Sequence, residues 1–581
     1  MMELLASGLL QDPGAIPLVI GVAGHRDPRP QDLPLLRERF RDLISELLRT
    51  LPQTPLLLLN GLAAGMDSEA AEVFLELITA ERQKRSDAPH HQLVAALPKP
   101  HQLYLAEDFP HDGSPEHSHD RQRLETLLAH CDAVLDGDNC PELHLSEDEP
   151  GQQRDPFDPR CYGRQGVFLV RHCYLLVAFS NGVDSAKVGG TSQTVAMQRG
   201  EVYPLFLQVD EVIAAREPGV VVEITTPRLS DPVPPCPVAH VRYWSENSDG
   251  SRIDSSSVAS LEVTDLATLL KLPLIPARLN AINEQLSTYP PREVYDLGVF
   301  PSLWLYADQL SSQAKRSYVR LCRGVMLVSV LLGLGISQQA WQAIGLLIVL
   351  AAVVSFPKLQ RSPKLDFIQW RCLAESLLVT DFWSALGVQG DTADLFHSHT
   401  NQNFVWIRTV LRARRLQLMA TQVMPGMTSP FPDALERCRF WINKQEQWLA
   451  DSIKKQQFWN RRLLILGATF FSLALILAVD YKLAAANFSQ LWPDTCIGIA
   501  VACFGYSELM GYEDTNARYG RSRAQFSRAR EALCRVRPDP KDPAMLAYRQ
   551  RLVLEAVGRE KIDELNDWVG DQLQRVYRPT G

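Results

Sequence analysis

LLVAFSNGVDSAKVGGTSQTVAM, residues 175–197, is the stretch on which the reading of this 581-residue chain turns. Leu175 to Phe179 is a short apolar run bounded by Ser180, Asn181 and Gly182, the pattern of a strand buried on both faces of a parallel sheet. After a turn, Gly189 and Gly190 precede Thr191, Ser192 and Gln193, and a helical pattern opens at Val195, Ala196 and Met197. Strand, glycine loop and helix start together make an anion site, because free backbone N–H groups and the positive end of the helix dipole face whatever lies above the loop. Glycines let a phosphate reach the backbone with no Cβ in the way. The bland alternative is a plain strand-to-helix turn, so neighbouring segments must decide.

Upstream, the same alternation repeats. Ile16 to Val22 is an apolar run that ends in Ala23 and Gly24, with His25, Arg26 and Asp27 in the following loop and helical periodicity from Leu33 to Leu48. Leu56 to Leu59 leads into Asn60-Gly61-Leu62-Ala63-Ala64-Gly65-Met66-Asp67, and Ser68 to Leu77 reads as the next helix. Leu93 to Leu97 is a third strand, with Lys99 and Tyr104 just beyond Pro98. This spacing predicts an α/β fold built on a doubly wound parallel sheet, in which ligands sit outside the carboxyl ends of the strands. Gly61 and Gly65 open the second loop, Asp67 either caps the next helix or accepts from a ribose hydroxyl, and Arg26 meets a phosphate with its planar fork. His25 reads more readily as a plain loop histidine than as a ligand contact. Tyr162 and Arg164, just before the strand at Leu175, are candidates to stack on a base and to face a phosphate, although ordinary helix surface is the readier reading of each.

The remainder of this half is less informative. His111, His117 and His119 lie in a carboxylate-rich loop, which favours solvation over a metal. Leu124 to Leu135 reads as a helix and short strand, and acidic Asp136 to Asp158 as a lid-like loop. Tyr203 to Val209 and Val220 to Thr225 are strand-like, Arg228 to Asp254 marks a ragged domain end, and Leu261 to Leu286 is helical up to the break at Pro290-Pro291.

The motifs GVAGHRD, NGLAAGMDSEA, VAALPKP and LLVAFSNG followed by GGTSQTV resemble those of the SLOG superfamily, Rossmann-like domains related to the DprA and LOG proteins. The resemblance covers roughly the first 230 residues and implies either nucleotide cleavage or sensing of a nucleotide-derived second messenger, such as a cyclic oligonucleotide or an ADP-ribose derivative. The LOG branch carries PGGxGTxxE, with a catalytic glutamate. Here Ser192 and Gln193 replace the second Gly and the Thr, and Ala196 stands where Glu is needed, so binding without catalysis, and without a cofactor, is the expectation.

Totals bound the rest. A net charge of -8 and a pI near 6.0 give no general case for nucleic-acid binding. The 11 cysteines form no CxxC pair, which suits a reducing compartment. The N-terminus carries Glu3 where a signal peptide would be basic.

Past residue 320 the composition changes. Gly324 to Pro357 holds no charged residue and is broken at Ser337-Gln338-Gln339 into two arms, 321–336 and 341–356; 463–479 and 491–509 form a second pair. Each arm is short for a span, so a buried soluble hairpin is the alternative. Against it, Lys315, Arg316, Arg320 and Arg323, then Lys358, Arg361 and Lys364, flank the first pair, and Lys454, Lys455, Arg461, Arg462 and Arg518 to Arg530 flank the second. By the positive-inside rule, four transmembrane helices place both termini in the cytoplasm at an inner membrane. Glu508 is expected at the interface, and Gly498, Ala500, Ala502 and Gly505 permit close helix packing, including between subunits of a homo-oligomer. Residues 366–386, 404–419 and 439–458 read as cytosolic helices beneath the membrane.

Together with the apolar arms, WRCLAESLLVTDFWSALGV, WIRTVLRA and GYSELMGYEDTNARYGRSRAQFSRA resemble SLATT-type membrane effector domains over most of residues 316–560. That pairing implies three parts: a sensing domain over 1–275, a helical linker over 276–315 and a membrane effector over 316–581. Its implied role is pore formation or membrane disruption in bacterial antiphage defence, in partnership with a nucleotide-signal synthase. The alternatives are a membrane-anchored nucleotide or NAD hydrolase, and a ligand-gated channel with no defence role.

Overall fold

The structure, a computed structural model, describes residues 15–110, 114–144, 159–183, 188–207, 219–231, 237–246, 252–254, 274–287, 302–335, 363–384, 386–388, 390–395, 404–423, 434–483, 491–536 and 543–577. Strands and helices alternate as β1 (Leu18–Gly24), α1 (Leu33–Thr50), β2 (Leu56–Asn60), α2 (Met66–Lys84), β3 (Gln92–Ala96), α3 (His101–Glu107), α4 (Pro115–His130), β4 (Ala133–Leu135), α5 (Arg160–His172), β5 (Leu175–Ser180), α6 (Thr191–Gln198) and β6 (Val220–Thr225). They form one sheet in the order β4-β3-β2-β1-β5-β6-β7-β8, where β7 (Val241–Glu246) and β8 (Arg252–Asp254) complete one edge. The first six strands in that order are parallel, and β7 and β8 are antiparallel. Every residue of β2, β5 and β6 is buried, which is why these strands read as unbroken apolar runs instead of alternating ones.

The chain builds outward from β1 to β4, then returns to lay β5 on the other side of β1, with Ile20 opposite Leu175 and Gly24 opposite Phe179. The direction of winding therefore reverses between β1 and β5, the switch point outside whose carboxyl ends sheets of this kind bind ligands.

Two local expectations change. Only Pro204–Phe206 of the expected strand 203–209 is ordered into an element, a single 3-10 turn; Pro204 has no N–H to give a ladder, and Phe206 turns into a cluster with Val167 and Met197. Residues 208 and 209 lie outside the described residues. The ragged end at 228–254 instead yields β7 and β8, since Tyr243 and Trp244 supply a buried, strand-favouring pair.

The chain divides into two compact units: Met1–Val294 with Val299–Leu303 and Gly387–Pro432, and Tyr295–Gly298 with Trp304–Leu386 and Asp433–Gly581. The first unit thus contains the sheet, α7 (Leu274–Ser287) and α10 (Val405–Val423), a helix that the linear division assigned to the C-terminal part. α10 packs on α5 and on edge strand β4, and Trp406, Ile407, Val410, Leu411 and Leu416 are buried there. A helix laid on an edge strand also removes a template for unwanted strand pairing.

The second unit is helical: α8 (Ser302–Gly335), α9 (residues 363–384), α11 (Ala434–Leu483), α12 (Leu491–Met510), α13 (Tyr512–Arg535) and α14 (Pro543–Tyr577). Trp383 is almost fully buried against Gly558, where a Cβ would come within 2.2 Å of its indole nitrogen. Trp441 packs between Phe382 and Phe526, at 5.1 and 5.3 Å.

The expected cytosolic helix 439–458 and the arm 463–479 are one continuous rod, since α11 runs for 50 residues, about 75 Å. Among the described residues, one helix is long and apolar enough to cross a membrane: Cys438–Val479, whose most apolar 18-residue window has a mean hydropathy of 2.3. Only 11% of its most apolar window is buried, whereas the core helix of a soluble protein would be mostly covered. Ile465, Phe471, Leu475, Ile476 and Val479 are exposed along it. α12 lies against its upper part, with Phe504 filling the space above Gly467, but Pro493, Asp494 and Glu508 keep α12 below the same requirement. The arm 321–336 falls largely on the end of α8, and 341–356 lies outside the described residues.

Candidate functional site

The loops after β1 and β2 are locked together by their glycines. A Cβ on Gly24 would stand 2.6 Å from Cβ of Met66, and Gly65, at φ +84, would put one 2.5 Å from the Arg26 carbonyl oxygen. Met66 N–H donates to the His25 carbonyl at 3.1 Å. The Asn60 side chain braces the second loop: its Oδ1 accepts from Leu62 N–H at 2.7 Å and its Nδ2 donates to the Asp67 carbonyl at 2.9 Å. Gly61 leaves room for Gln165, which reaches across to the carbonyl of Ala96 at the end of β3.

Asp67 sits where these loops meet. Its carboxyl is buried, and Oδ1 has no hydrogen-bond partner among the described residues. Burial pushes its pKa up to about 7, against the pull of Arg26 and of the backbone at Gly24 and Ala63. It is not the helix cap: Gly65 occupies that position and α2 has no side-chain cap.

Above it lies a charged cluster. Arg26, its side chain 44% exposed, donates to Asp108 Oδ1 at 3.0 Å, and its guanidinium is 5.3 Å from the Tyr162 ring centre. Lys99 Nζ reaches Glu107 at 2.8 Å and Asp108 at 3.1 Å, and stands 5.1 Å from the same ring. Tyr162 donates its hydroxyl to Asp108 at 2.5 Å, and Tyr104 points its hydroxyl at the Gly61 carbonyl, 3.4 Å away. Burial opposes charge on both cations, yet Tyr104, Asp108 and Tyr162 hold Arg26 above its usual range, and Glu107, Tyr162 and Asp108 do the same for Lys99. Burial, then Asp108, raises Tyr162, so the phenol stays protonated. The resting site is therefore a compensated set of ion pairs around one aromatic ring, in which an incoming anion must compete with Asp108 for Arg26.

The β5 side has a different character. His25 Nε2 accepts from Asn181 N–H at 3.0 Å, and burial, then Arg228, lowers its pKa, so the ring is a neutral crosslink between the ends of β1 and β5. Asn181 Nδ2 donates to Asp231 at 3.1 Å, and Ser180 Oγ accepts from Gly182 N–H at 3.0 Å. Gly189, at φ +70, packs so closely on α5 that a Cβ would lie 2.7 Å from that of Tyr162. Its N–H is taken by Gln193 Oε1 at 2.7 Å, while Gly190 caps α6 and its carbonyl accepts from Gln193 and Thr194. Thr191 and Ser192 form the partly exposed first turn; residues 184–187 of this loop lie outside the described residues.

Gly24, Arg26, Gly61, Gly65, Asp67, Tyr162 and Gly189 are thus brought together. Arg164 is not: it is 1% exposed and donates to the carbonyls of Glu142 at 2.6 Å and Phe206 at 3.1 Å, bracing the core instead of facing a phosphate. The reading from sequence left out Glu107 and Asp108, whose partners lie on other loops. A signal was present, since Lys99 follows β3 as Arg26 follows β1, and two such cations call for nearby carboxylates. Among the described residues no cluster of His, Cys, Asp and Glu could hold a metal; His117 and His119 lie on the exposed side of α4, and His111 is outside the described residues.

The far end of α5 holds a second, buried charge network. Glu142 meets His172 at 2.9 Å, Arg415 of α10 at 3.3 Å and Arg171 at 3.7 Å, while Arg171 also pairs with Asp394 at 2.5 Å. Burial alone would raise Glu142, but Arg171, His172 and Arg415 hold it well below the carboxylate range. Tyr162 and His172 are ten residues apart on one helix, about 15 Å. Compared with known proteins, the chain matches no family model, no curated protein and no solved structure.

Proposed function

We propose that the chain is a membrane effector whose SLOG-like α/β unit senses a nucleotide-derived second messenger, a cyclic oligonucleotide or ADP-ribose derivative. One observation carries this reading. The loops after β1, β2, β3 and β5 converge on a half-exposed arginine beside a buried carboxyl with one unpartnered oxygen, in a chain that also holds a long apolar helix left largely uncovered. A phosphate competes with Asp108 for Arg26, and a ribose hydroxyl donates to Asp67. Either contact shifts Tyr162 and hence α5, whose other end grips α10 through Glu142 and Arg415. α10 is joined by chain to apolar segments on both sides, so a ligand with unequal affinity for two positions of α5 biases the membrane part. In this proposal the membrane part is SLATT-like, with four spans, both termini in the cytoplasm and pore formation or membrane disruption by a homo-oligomer. A nucleotide-signal synthase in antiphage defence supplies the ligand.

A second reading is favoured by Asp67 itself. A buried carboxyl with a pKa of about 7 suits a general base, which makes a nucleotide hydrolase the competing function. One experiment separates them. Full-length protein in dye-loaded liposomes is given a panel of cyclic oligonucleotides and ADP-ribose derivatives, with leakage and nucleotide turnover followed together. Leakage without turnover, lost in Arg26→Ala, is expected. Steady turnover lost in Asp67→Asn establishes the hydrolase, and neither response across the panel removes the sensing reading.

A further inference from the structure

α13 and α14 run along one another in the helical unit and leave a cavity of about 300 Å³ between them, at the lower end of the range for ligand pockets. It exists because small residues, Ala529, Ala532 and Ala556, stand where larger ones would close the gap; Phe526 and Val557 complete apolar walls. The two ends differ chemically. At the inner end lies Ser522, 1% exposed, whose Oγ has no hydrogen-bond partner among the described residues. Its charged neighbours there are already engaged: Lys561 pairs with Glu564 at 2.9 Å, and Glu564 with Arg518 at 3.2 Å. A buried hydroxyl left unpaired is destabilising, so the cavity lacks one polar atom at that point.

At the other end, Arg528 and Ala532 are shared with a second concavity lined also by Glu531, Arg535 and Arg549. Glu531 pairs with Arg535 at 3.3 Å, which leaves Arg528 and Arg549 without an ion pair among the described residues. Between the two ends Gln525 donates to Glu560 across the two helices, so the slot reads, from mouth to base, as cationic, apolar-walled with one mutually satisfied polar pair, and hydrogen-bonding. We infer that it binds an elongated amphipathic anion, an alkyl carboxylate whose head lies at Arg528 and Arg549, whose chain fills the gap between the helices, and whose buried end carries a hydroxyl or carbonyl for Ser522. This site is independent of the crevice in the α/β unit and of the function proposed for it.

The test uses the full chain in phosphatidylcholine nanodiscs and a diazirine-bearing decanoate photoprobe, with label mapped to peptides covering 522–535 and 549–564. Decanoate and 10-hydroxydecanoate are the competitors. The hydroxylated acid is expected to compete about three- to tenfold more effectively, the value of one hydrogen bond, and Ser522→Ala to erase that difference without removing the label. Ala556→Leu, which fills the slot, and Arg528→Glu, which reverses its mouth on an exposed side chain, should each cut labelling about tenfold. Label that is unchanged in both variants, or that maps only to the apolar arms, overturns the site. Equal competition by the two acids in the unaltered protein overturns the assignment of Ser522, with water then satisfying its hydroxyl. If Ala556→Leu fails to fold, Arg528→Glu and the pair of acids decide the matter.

Discussion

Asp67 makes the folded α/β unit less stable as the pH rises, and the size of the effect follows from its surroundings. The carboxyl has a pKa of about 7 in the fold against an ordinary 3.8. A raised carboxyl pKa means that the folded protein binds the extra proton between those values, so stability falls as pH climbs from about 4 to about 7 and is level above that. The full span of about three pKa units corresponds to ~4 kcal/mol at 1.36 kcal/mol per unit. Asp67→Asn keeps the shape and removes the titration. Between pH 5 and pH 8 its stability advantage over the unaltered protein should widen by about two units, ~2.6 kcal/mol. Hydrogen exchange of peptides from β1 and β5 measures this directly, because comparing the two proteins at each pH cancels the intrinsic exchange rate. The ratio of their rates should grow roughly a hundredfold from pH 5 to pH 8. A ratio that stays constant would refute the picture of a carboxyl whose burial under Gly24 outweighs its compensation. A ligand that donates to the ionised carboxylate should also bind more tightly as pH rises through 7.

Two further outcomes test the frame around the site. Arg171→Ala leaves Asp391 and Asp394 short of their main cation and should cost about 3–5 kcal/mol, read as early exchange of residues 405–423; an unchanged rate would show that α10 is held by its apolar contacts alone. Ile476→Arg, on the exposed face of α11, should reduce insertion by about 2.5–3.5 kcal/mol, measured as release of the protein by alkaline carbonate, and full retention would argue against lipid contact at that face.

The parallel sheet was legible because its strands are uninterrupted apolar runs: Leu56 to Leu59 and Leu175 to Phe179 announce burial on two sides with no partner known. Gly24, Gly61, Gly65 and Gly189 stand out in the sequence as room for a ligand at the backbone, yet the space a Cβ would take is filled by the protein itself, by Met66, Gln165, the Arg26 backbone and Tyr162. Pairings across the chain were not. His25 looks like any loop histidine until Asn181, 156 residues later, donates to it. Arg164 has a phosphate binder's chemistry and a core residue's partners, and nothing in its local pattern separates the two. The helix read over 404–419 is present at 405–423, but the burial of its cations was not legible: Arg408, Arg414 and Arg415 are all buried, Arg415 against a carboxylate 273 positions away. Charge pattern reports exposure only where no compensating group arrives from elsewhere.

Residues 387–432 belong to the α/β unit although the chain on either side of them belongs to the helical one. The two parts are therefore not beads on a string that a single cut could separate. A truncation near residue 275 or 315 would strip α10 from β4 and leave the carboxylate of Glu142 without Arg415. Transplantation of the α/β unit must carry the inserted segment with it, as a second piece joined through a short linker. The same interleaving limits how such a protein can arise by recombination: exchanging one half for a homologous half at a single crossover would give a chain that lacks the helix its sheet was built to receive.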